Sequence, residues 1–254
     1  MPVAEEDRSV LTRSVPAPDE VISYGPGAEH LADVRYGSAA DDQPLVLFIH
    51  GGFWRPHIDR GHTGPLGAAL AGAGWTTAAI EYRRTPGQPD ETLADIAAAV
   101  AALPLLVAHH NGRMIVAGHS AGGHLALWVA STRPLDALSG VLALAPVADL
   151  RMADDLTAGD GACRAFLGGP AVQRPDLDPT RLPSPTVPTT IVHATTDSIV
   201  PIELSRSYVA AHPSVGLTVT SQGGHFGLID PLSPAWENTV AELSRLADKP
   251  QPER

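Results

Sequence analysis

Continuous apolar runs of strand length alternate along the chain with longer stretches of helical composition. Runs without alternating polar positions are typical of strands that are covered on both faces. We predict strands at residues 21–24, 31–36, 44–50, 75–82, 114–117, 140–145, 189–194 and 217–221. We predict helices at residues 65–73, 90–109, 123–130, 201–211 and 233–247. Strands separated by helices indicate an α/β fold with a mostly parallel central sheet and helices on both faces.

The chain shows neither an internal repeat nor a linker, and its 254 residues predict a single α/β domain over residues 1–254. The turn signal Gly25-Pro26-Gly27 separates the first two strands, which should form a hairpin. Residues 1–20 are polar and contain prolines, which predicts a surface arm or a short helix. Between residues 146 and 188 the pattern loosens into glycines, prolines and acidic residues, with a helix at 162–167. We expect this stretch to form a small cap inserted over the functional site.

Charge and cysteine content narrow the function classes. The net charge of −11, with 17 Lys and Arg residues spread along the chain, argues against nucleic acid as a partner and against adhesion to anionic membranes. The single cysteine, Cys163, leaves no internal disulfide and suits a reducing compartment. The acidic N-terminus lacks the basic region and apolar run of a signal peptide, and no apolar stretch is long enough to span a bilayer. We therefore expect a cytoplasmic protein that acts on a small molecule.

The stretch Gly118-His119-Ser120-Ala121-Gly122 joins a predicted strand to a predicted helix. A G-x-S-x-G pattern in this context is typical of a nucleophile elbow, a strained turn from which the serine hydroxyl projects. Because neighbouring chain passes close to both sides of such a turn, Gly118 and Gly122 should lie where a side chain would collide. Ser120 is thus a candidate nucleophile. The alternative is a serine that only caps the following helix.

A serine hydroxyl is a poor nucleophile at neutral pH, so it needs a base, and the base needs a group that orients it. After a nucleophile elbow, an acid and then a histidine should follow at the carboxyl ends of later strands. Asp197 and His225 occupy these places, after the strands at 189–194 and 217–221. Asp197 could instead cap the helix near residue 201, and His225 could be a polar loop residue. The flexible pair Gly223-Gly224 before His225 suits a side chain that must swing inward.

An oxyanion hole requires backbone N–H groups beside the nucleophile. One should come from Ala121, which follows Ser120, and the others from the loop His50-Gly51-Gly52-Phe53-Trp54 after an earlier strand. The two glycines let the backbone approach a substrate carbonyl, and the amides of Gly52 and Phe53 are the candidate donors. The sequence offers no zinc-site spacing, no phosphate-cradling loop and no dinucleotide fingerprint. We expect neither a metal nor a cofactor.

Together these motifs resemble the α/β-hydrolase superfamily over essentially the whole chain. His50-Gly51-Gly52-Phe53-Trp54 with Gly118-His119-Ser120-Ala121-Gly122 is similar to the kynurenine formamidase (arylformamidase) branch and to small bacterial esterases. The segment Glu81-Tyr82-Arg83 also resembles the segment that follows the next strand in enzymes of this kind. Hormone-sensitive-lipase-like esterases have a third glycine at the position of Phe53. The resemblance therefore favours the formamidase and small-esterase branch.

The resemblance implies hydrolysis of an ester or an N-formyl aryl amide through an acyl-enzyme. In that reaction Ser120 attacks, His225 transfers the proton and Asp197 orients His225. The expected substrate contacts are aromatic and imidazole side chains: Phe53, Trp54, Tyr82, His119 and Phe226. The aromatic rings would crowd a small acyl group and stack on an aromatic leaving group, although each can equally be a core residue.

Other function classes stay open. The same fold suits a peptidase or a thioesterase, which a propeller domain or a carrier-binding surface would support, and neither is visible in the sequence. A catalytically silent binding protein would lack a triad member, whereas all three are present. Apolar surface on the last predicted helix leaves a homodimer as a further alternative.

Overall fold

A computed structural model describes residues 6–156 and 158–248. The strands of its sheet are β1 (Glu20–Ser23), β2 (Leu31–Arg35), β3 (Leu45–Ile49), β4 (Thr77–Ile80), β5 (Met114–His119), β6 (Leu138–Leu144), β7 (Thr189–Ala194) and β8 (Gly216–Thr220). The α-helices are α1 (Gly64–Gly72), α2 (Pro89–Leu106), α3 (Ala121–Thr132), α4 (Leu150–Asp155), α5 (Ala158–Leu167), α6 (Ile202–Ala211) and α7 (Trp236–Ala247).

The strand order across the sheet is β1-β2-β4-β3-β5-β6-β7-β8. β2 runs antiparallel to both β1 and β4, and the other neighbouring strands are parallel. Every residue of β3, β5, β6 and β7 is buried, as expected of parallel strands with helices on both faces. The edge strands β1 and β8 are partly exposed. The predicted hairpin and the predicted mostly parallel α/β sheet are confirmed.

The direction of the chain across the sheet reverses between β3 and β5. β3 leads through α1 to β4, and the chain then returns through α2 past β3 to β5. The last residue of β3, Ile49, pairs with Gly118 of β5, so both strands end at the same edge. Such a reversal leaves a crevice at the carboxyl ends of the strands, where ligands bind in open α/β sheets. The loop after β3 and the serine turn after β5 both lie there.

Helix α2 shows how local sequence sets the ends of an element. It begins at Pro89, where the missing N–H costs nothing, and Asp90 and Glu91 complement the helix dipole in its first turn. The sequence predicts that Pro104 kinks or ends this helix. The helix ends at Leu106, within a turn of that proline, and Val107 is already extended.

Residues 146–188 contain two α-helices where the sequence predicts one. α4 begins after Asp149, whose carboxylate accepts a hydrogen bond from the amide of Met152, and α5 begins earlier than predicted. Its 6 residues make α4 too short for a helical period to show in the sequence. The segment joins the main core through buried side chains: Leu150, Ala153, Cys163, Phe166, Leu167 and Leu177.

Residues 6–13 are attached to the domain more firmly than a surface arm. They include a short 3-10 turn, Ser9–Thr12, in which Val10 is 1% exposed and belongs to the apolar core under β3 and α1. Arg13 forms an ion pair with Asp230 in the loop before α7. The described part of the predicted arm is therefore fixed to the domain through a buried side chain and an ion pair.

Candidate active site

A cavity of about 420 Å³ opens at the carboxyl edge of the sheet, beside the ends of β3 and β5. Its size is that of a small-molecule site. Six of the residues singled out in the sequence line it: Gly52, Phe53, His119, Ser120, His225 and Phe226. The structure thus brings the candidate nucleophile and the candidate base to one cavity.

The turn at Ser120 has the geometry of a nucleophile elbow. Ser120 has φ 56° and ψ −117°, a conformation that is costly for a residue with a side chain. A Cβ on Gly118 would overlap the carbonyl oxygen of Gly122, and a Cβ on Gly122 would overlap that of Ile49. The predicted collisions at both glycines are confirmed. Ser120 occupies the N-cap position of α3 without a side-chain capping hydrogen bond, so the alternative of a capping serine is wrong.

His225 and Asp197 form a buried pair beside this turn. His225 Nδ1 lies 2.7 Å from Asp197 Oδ2, and the two side chains are 2% and 0% exposed. Because a carboxylate accepts, Nδ1–H donates and Nε2 is left as the ring's free acceptor. The other oxygen, Oδ1, accepts from the amides of Ile199 and Val200, each at 2.8 Å. Asp197 therefore closes the loop before α6 and holds His225, whereas the N-cap of α6 itself is Pro201.

Asp197 is held in its ionised form. Burial alone would raise the pKa of this carboxyl, but His225 and the hydrogen bonds from the imidazoles and amides around it lower the pKa below its ordinary value. His193, at the end of β7, is one of these neighbours, with Nε2 3.3 Å from Asp197 Oδ2 and Nδ1 2.7 Å from the Ser205 hydroxyl. His193 belongs to none of the motifs found in the sequence. Its signal is a histidine in an apolar strand, four residues before the acid.

His119 contacts His225 directly. Its Nε2–H donates to the backbone carbonyl of His225 at 3.0 Å, and the two ring centroids are 4.5 Å apart. Burial and the neighbouring His225 both lower the pKa of His119 well below its ordinary value. A neutral His119 therefore lines the cavity and fixes the backbone of the candidate base.

The loop after β3 presents backbone amides to the cavity. Gly52, Phe53 and Trp54 have φ of 118°, 54° and 53°, so the chain turns back in a left-handed conformation. His50 Nδ1–H donates to the Gly51 carbonyl at 2.7 Å. Because that peptide is trans, the N–H of Gly52 points the opposite way from this carbonyl. Within the described part of the chain, the amides of Gly52 and Phe53 donate to no protein acceptor.

A buried polar cluster supports this loop from below. His50 Nε2 lies 3.2 Å from Glu81 Oε1 and 3.2 Å from the Arg84 guanidinium, which also pairs with Glu81. Burial opposes ionisation of Glu81, but His50 and Arg84 lower the pKa of its carboxyl below the ordinary value. Tyr82 donates its hydroxyl hydrogen to the His50 carbonyl at 2.8 Å and stacks on the His50 ring at 4.5 Å between centroids. The ion pair of Glu81 with Arg84 and the Tyr82 hydroxyl thus both hold His50, the first residue of this loop.

Two expected substrate contacts lie outside the cavity. Tyr82 is 0% exposed and supports His50, as described above. Trp54 is 3% exposed and stacks on Phe166 of α5, with centroids 4.6 Å apart and planes 10° from parallel. Both aromatic residues are therefore core residues, the alternative that the sequence left open. Phe53 and Phe226 do line the cavity, each with an arginine over its ring, Arg55 and Arg8 respectively.

Residues 146–188 do not line the cavity that holds Ser120, as far as they are described. They contribute instead to a small groove beside Phe53, of about 120 Å³, through residues of α5. No group of three or more His, Cys, Asp or Glu side chains within 6–156 and 158–248 is arranged to hold a metal ion. In the same residues, no helix has the length and apolar character needed to cross a membrane.

Known proteins similar to this chain include a formamidase and esterases. Kynurenine formamidase from Danio rerio is 27% identical over 234 residues, which cover 83% of this chain and 75% of that protein. LipM from Mycobacterium tuberculosis, described as a probable carboxylic ester hydrolase, is 35% identical over 126 residues, or 46% of this chain and 29% of that protein. Esterase B from Lactobacillus rhamnosis matches with a TM-score of 0.71 at 21% identity, over 91% of this chain and 86% of that one. The fold is therefore that of an α/β hydrolase.

The match to a family model covers most of the sheet. The model of the BD-FAE family matches residues 33–212, a range that includes the loop after β3, Ser120 and Asp197. The relatives above lie in the arylformamidase and esterase branch of the same superfamily. The chain is an α/β hydrolase and belongs to the BD-FAE family.

Proposed function

We propose that this chain is a serine hydrolase that cleaves a small ester or an N-formyl aryl amide through an acyl-enzyme. The observation that carries the proposal is the strained Ser120 in the same cavity as His225, whose Nδ1–H is tied to the buried carboxylate of Asp197. A base that is held in this tautomer can take a proton only at Nε2. In this proposal Ser120 is the nucleophile, His225 the base and Asp197 the residue that orients the base.

In the first half of the reaction, Ser120 Oγ forms a bond to the substrate carbonyl carbon and His225 Nε2 takes the hydroxyl proton. The carbonyl oxygen becomes an oxyanion, for which the amides of Gly52, Phe53 and Ala121 are the proposed donors. Two of these amides donate to no protein acceptor within the described residues, and Ala121 follows the serine at the start of α3. Loss of one such donor typically costs about 100-fold or more in kcat.

In the second half, His225 gives its proton to the leaving alcohol or arylamine as the bond to the carbonyl carbon breaks. Water then loses a proton to His225 and attacks the acyl carbon. Collapse of the second tetrahedral intermediate releases the acid and returns the proton to Ser120. Every proton is carried by His225, so this cycle needs no cofactor.

The cavity favours a compact substrate with an aromatic leaving group. Phe53 and Phe226 provide two partly exposed rings, and His119 lies beside the base. Rings of this kind stack on an aromatic group. The similarity to a kynurenine formamidase supports an N-formyl aryl amide, and the similarity to LipM supports a carboxylic ester. No observation favours the peptidase or thioesterase alternatives over these two.

A fluorophosphonate probe tests the serine mechanism directly. We expect the wild type to be labelled at one residue and Ser120→Ala to remain unlabelled. An unlabelled wild type, or equal labelling of the variant, would refute the proposal and leave a non-catalytic binding protein as the alternative.

A substrate panel tests the chemical class. We expect turnover of N-formylkynurenine and of p-nitrophenyl acetate, less of the butyrate and least of the octanoate, because the cavity is small. Activity on N-formylkynurenine far below that on the short esters would identify a generic esterase.

A further inference from the structure

The N-terminal segment, residues 6–13, contributes two side chains, Arg8 and Leu11, to the wall of the cavity that holds Ser120. The Arg8 guanidinium lies 5.5 Å from the centroid of the Phe226 ring. Val10 anchors the segment in the core, and Arg13 pairs with Asp230. A segment that looks like a polar arm in the sequence is therefore part of the site.

Glu6 is the residue of this segment with a direct link to both loops of the catalytic pair. Its Oε1 accepts from the Ser198 amide at 2.8 Å and from the Ser198 hydroxyl at 3.0 Å. Its Oε2 accepts from the backbone N–H of His225 at 2.8 Å. Ser198 is the residue after Asp197. One carboxylate thus joins the loop of the candidate acid to the loop of the candidate base.

The glycine pair before His225 makes room for this carboxylate. Gly224 has φ 56°, and a Cβ on it would overlap Oε2 of Glu6. Gly223 has φ 91°, and a Cβ on it would lie 2.5 Å from the Cβ of Ala235. Close neighbours therefore hold the two glycines in one backbone conformation, whereas the sequence suggests flexibility. In this conformation the His225 N–H points at Glu6.

We propose that Glu6 is a positioning residue for the hydrolytic reaction, a role that rests on the serine mechanism proposed above. Hydrogen bonds to a carboxylate are stronger than those between neutral groups, and three of them here converge on one side chain. They fix the separation of the two loops, and with it the distance from Asp197 to His225 and the direction in which His225 Nε2 points. Glu6 touches neither substrate nor reacting atoms and acts through His225 and Asp197.

Because the segment has other anchors, the effect of Glu6 on catalysis can be distinguished from an effect on folding stability. Val10 and the ion pair of Arg13 with Asp230 hold residues 6–13 in place without Glu6. In Glu6→Ala the segment should therefore stay docked while the two loops lose the three hydrogen bonds of this carboxylate and keep the weaker one from the Gly224 amide to the Thr196 hydroxyl. The variant should lose reaction rate and keep its fold.

The test compares Glu6→Ala with Asp7→Asn, a neighbour whose carboxylate accepts from the Ser9 amide and reaches neither loop. We expect Glu6→Ala to lower kcat about 10- to 100-fold, since a displacement of about 1 Å can cost that much. KM for p-nitrophenyl acetate and the melting temperature should stay near the wild-type values. Asp7→Asn should match the wild type. A Glu6→Ala variant with wild-type kcat, or with a fall in kcat that tracks a lost melting transition, would overturn the proposal.

Proton NMR supplies a signature that a purely structural role would not change. The Nδ1–H of His225, bonded to Asp197, should give a far-downfield signal that is missing in His225→Ala. We expect this signal to shift or broaden in Glu6→Ala and to persist in Asp7→Asn. An unchanged signal in Glu6→Ala contradicts the proposal.

A second variant keeps the proposal testable if Glu6→Ala folds poorly. Ser198→Ala removes one of the three hydrogen bonds and should lower kcat by a smaller factor. Combined with Glu6→Ala it should add nothing further, because residues that share one interaction are not additive. Reductions in kcat that multiply in the double variant would overturn the proposed role of Glu6.

If wild type itself fails to react with the fluorophosphonate probe, the serine mechanism has failed. If wild type reacts and Glu6→Ala reacts equally fast, only the positioning role has failed.

Discussion

At the scale of single residues, both oxygens of the Asp197 carboxylate accept hydrogen bonds. One oxygen accepts two backbone amides and the other accepts His225. An amide side chain at this position would offer an N–H where His225 needs an acceptor, so the imidazole would lose its orientation and tautomer. The orientation and the tautomer of His225 thus both depend on the Asp197 carboxylate.

Asp197→Asn is therefore expected to lower kcat about 10³- to 10⁴-fold with p-nitrophenyl acetate, while KM changes little. The variant should still bind the substrate, because Asp197 does not line the cavity. Steady-state kinetics near neutral pH measure this. A fall in kcat of less than about tenfold would show that His225 does not depend on Asp197.

The same carboxylate gives a prediction for the pH dependence of stability. Its pKa is lower in the folded protein than the ordinary value of about 4, so the unfolded chain takes up the proton first as the pH falls. Asp197 stabilises the fold above about pH 5 and loses this contribution as the pH drops below about 4. The difference in free energy of unfolding between wild type and Asp197→Asn should therefore shrink on acidification, which urea titrations near pH 7 and pH 3 measure. A constant difference would contradict the lowered pKa.

Tyr82→Phe tests the reassignment of Tyr82 from substrate contact to support of the loop after β3. The change leaves the buried His50 carbonyl without its donor and should lower the free energy of unfolding by about 1 kcal/mol. KM for N-formylkynurenine should stay constant, since Tyr82 lies outside the cavity. Phe226→Ala is the matched control, because that ring lines the cavity and its loss should raise KM. Equal increases in KM in both variants would contradict the reassignment.

At the scale of elements, the sequence predicts most of the sheet because each buried strand is an apolar run with a local signature. The serine turn is predictable for the same reason, since its glycines, strand and helix are contiguous. Trp54 and Tyr82 are harder, because an aromatic residue beside a loop can face the core or the cavity. Trp54 faces the core because it stacks on Phe166, which lies more than a hundred residues later in a segment without a clear sequence pattern.

Gly122→Ala tests how tightly α3 meets the end of β3. A Cβ here would overlap the carbonyl oxygen of Ile49, a backbone atom that can yield only if the helix moves. We expect a fall of about 3 kcal/mol in the free energy of unfolding, the upper part of the range for overpacked sites. Gly72→Ala, at the exposed end of α1 with no atom within 4 Å of the new Cβ, should be neutral or slightly stabilising. Similar losses in both variants would rule out the close approach of α3 and β3.

At the scale of the whole molecule, the site is completed by contacts between the two ends of the described chain. Glu6 reaches residues 192 and 219 positions later, and Arg13 reaches Asp230 at a separation of 217. Periodicity and turn signals describe neighbours in sequence, so no local pattern identifies these pairs. The sequence therefore predicts the candidates Ser120 and His225, and only packing reveals the segment that closes the cavity around them.

A charge exchange tests whether the pair of Arg13 and Asp230 holds that segment against the site. Arg13→Glu and Asp230→Arg each place like charges together, so each should lower the free energy of unfolding by about 1 kcal/mol, the scale of a partly exposed ion pair. Each should also raise KM, because Arg8 and Leu11 would no longer be held at the cavity wall. The double variant restores opposite charges and should recover part of both losses, although the hydrogen bond from the Leu232 amide to Asp230 stays lost. The recovery should be smaller at high salt, where screening weakens the pair. Thermal unfolding and KM for p-nitrophenyl acetate should be measured for the wild type, both single variants and the double variant. Losses that simply add in the double variant would show that the ion pair does not fix the segment.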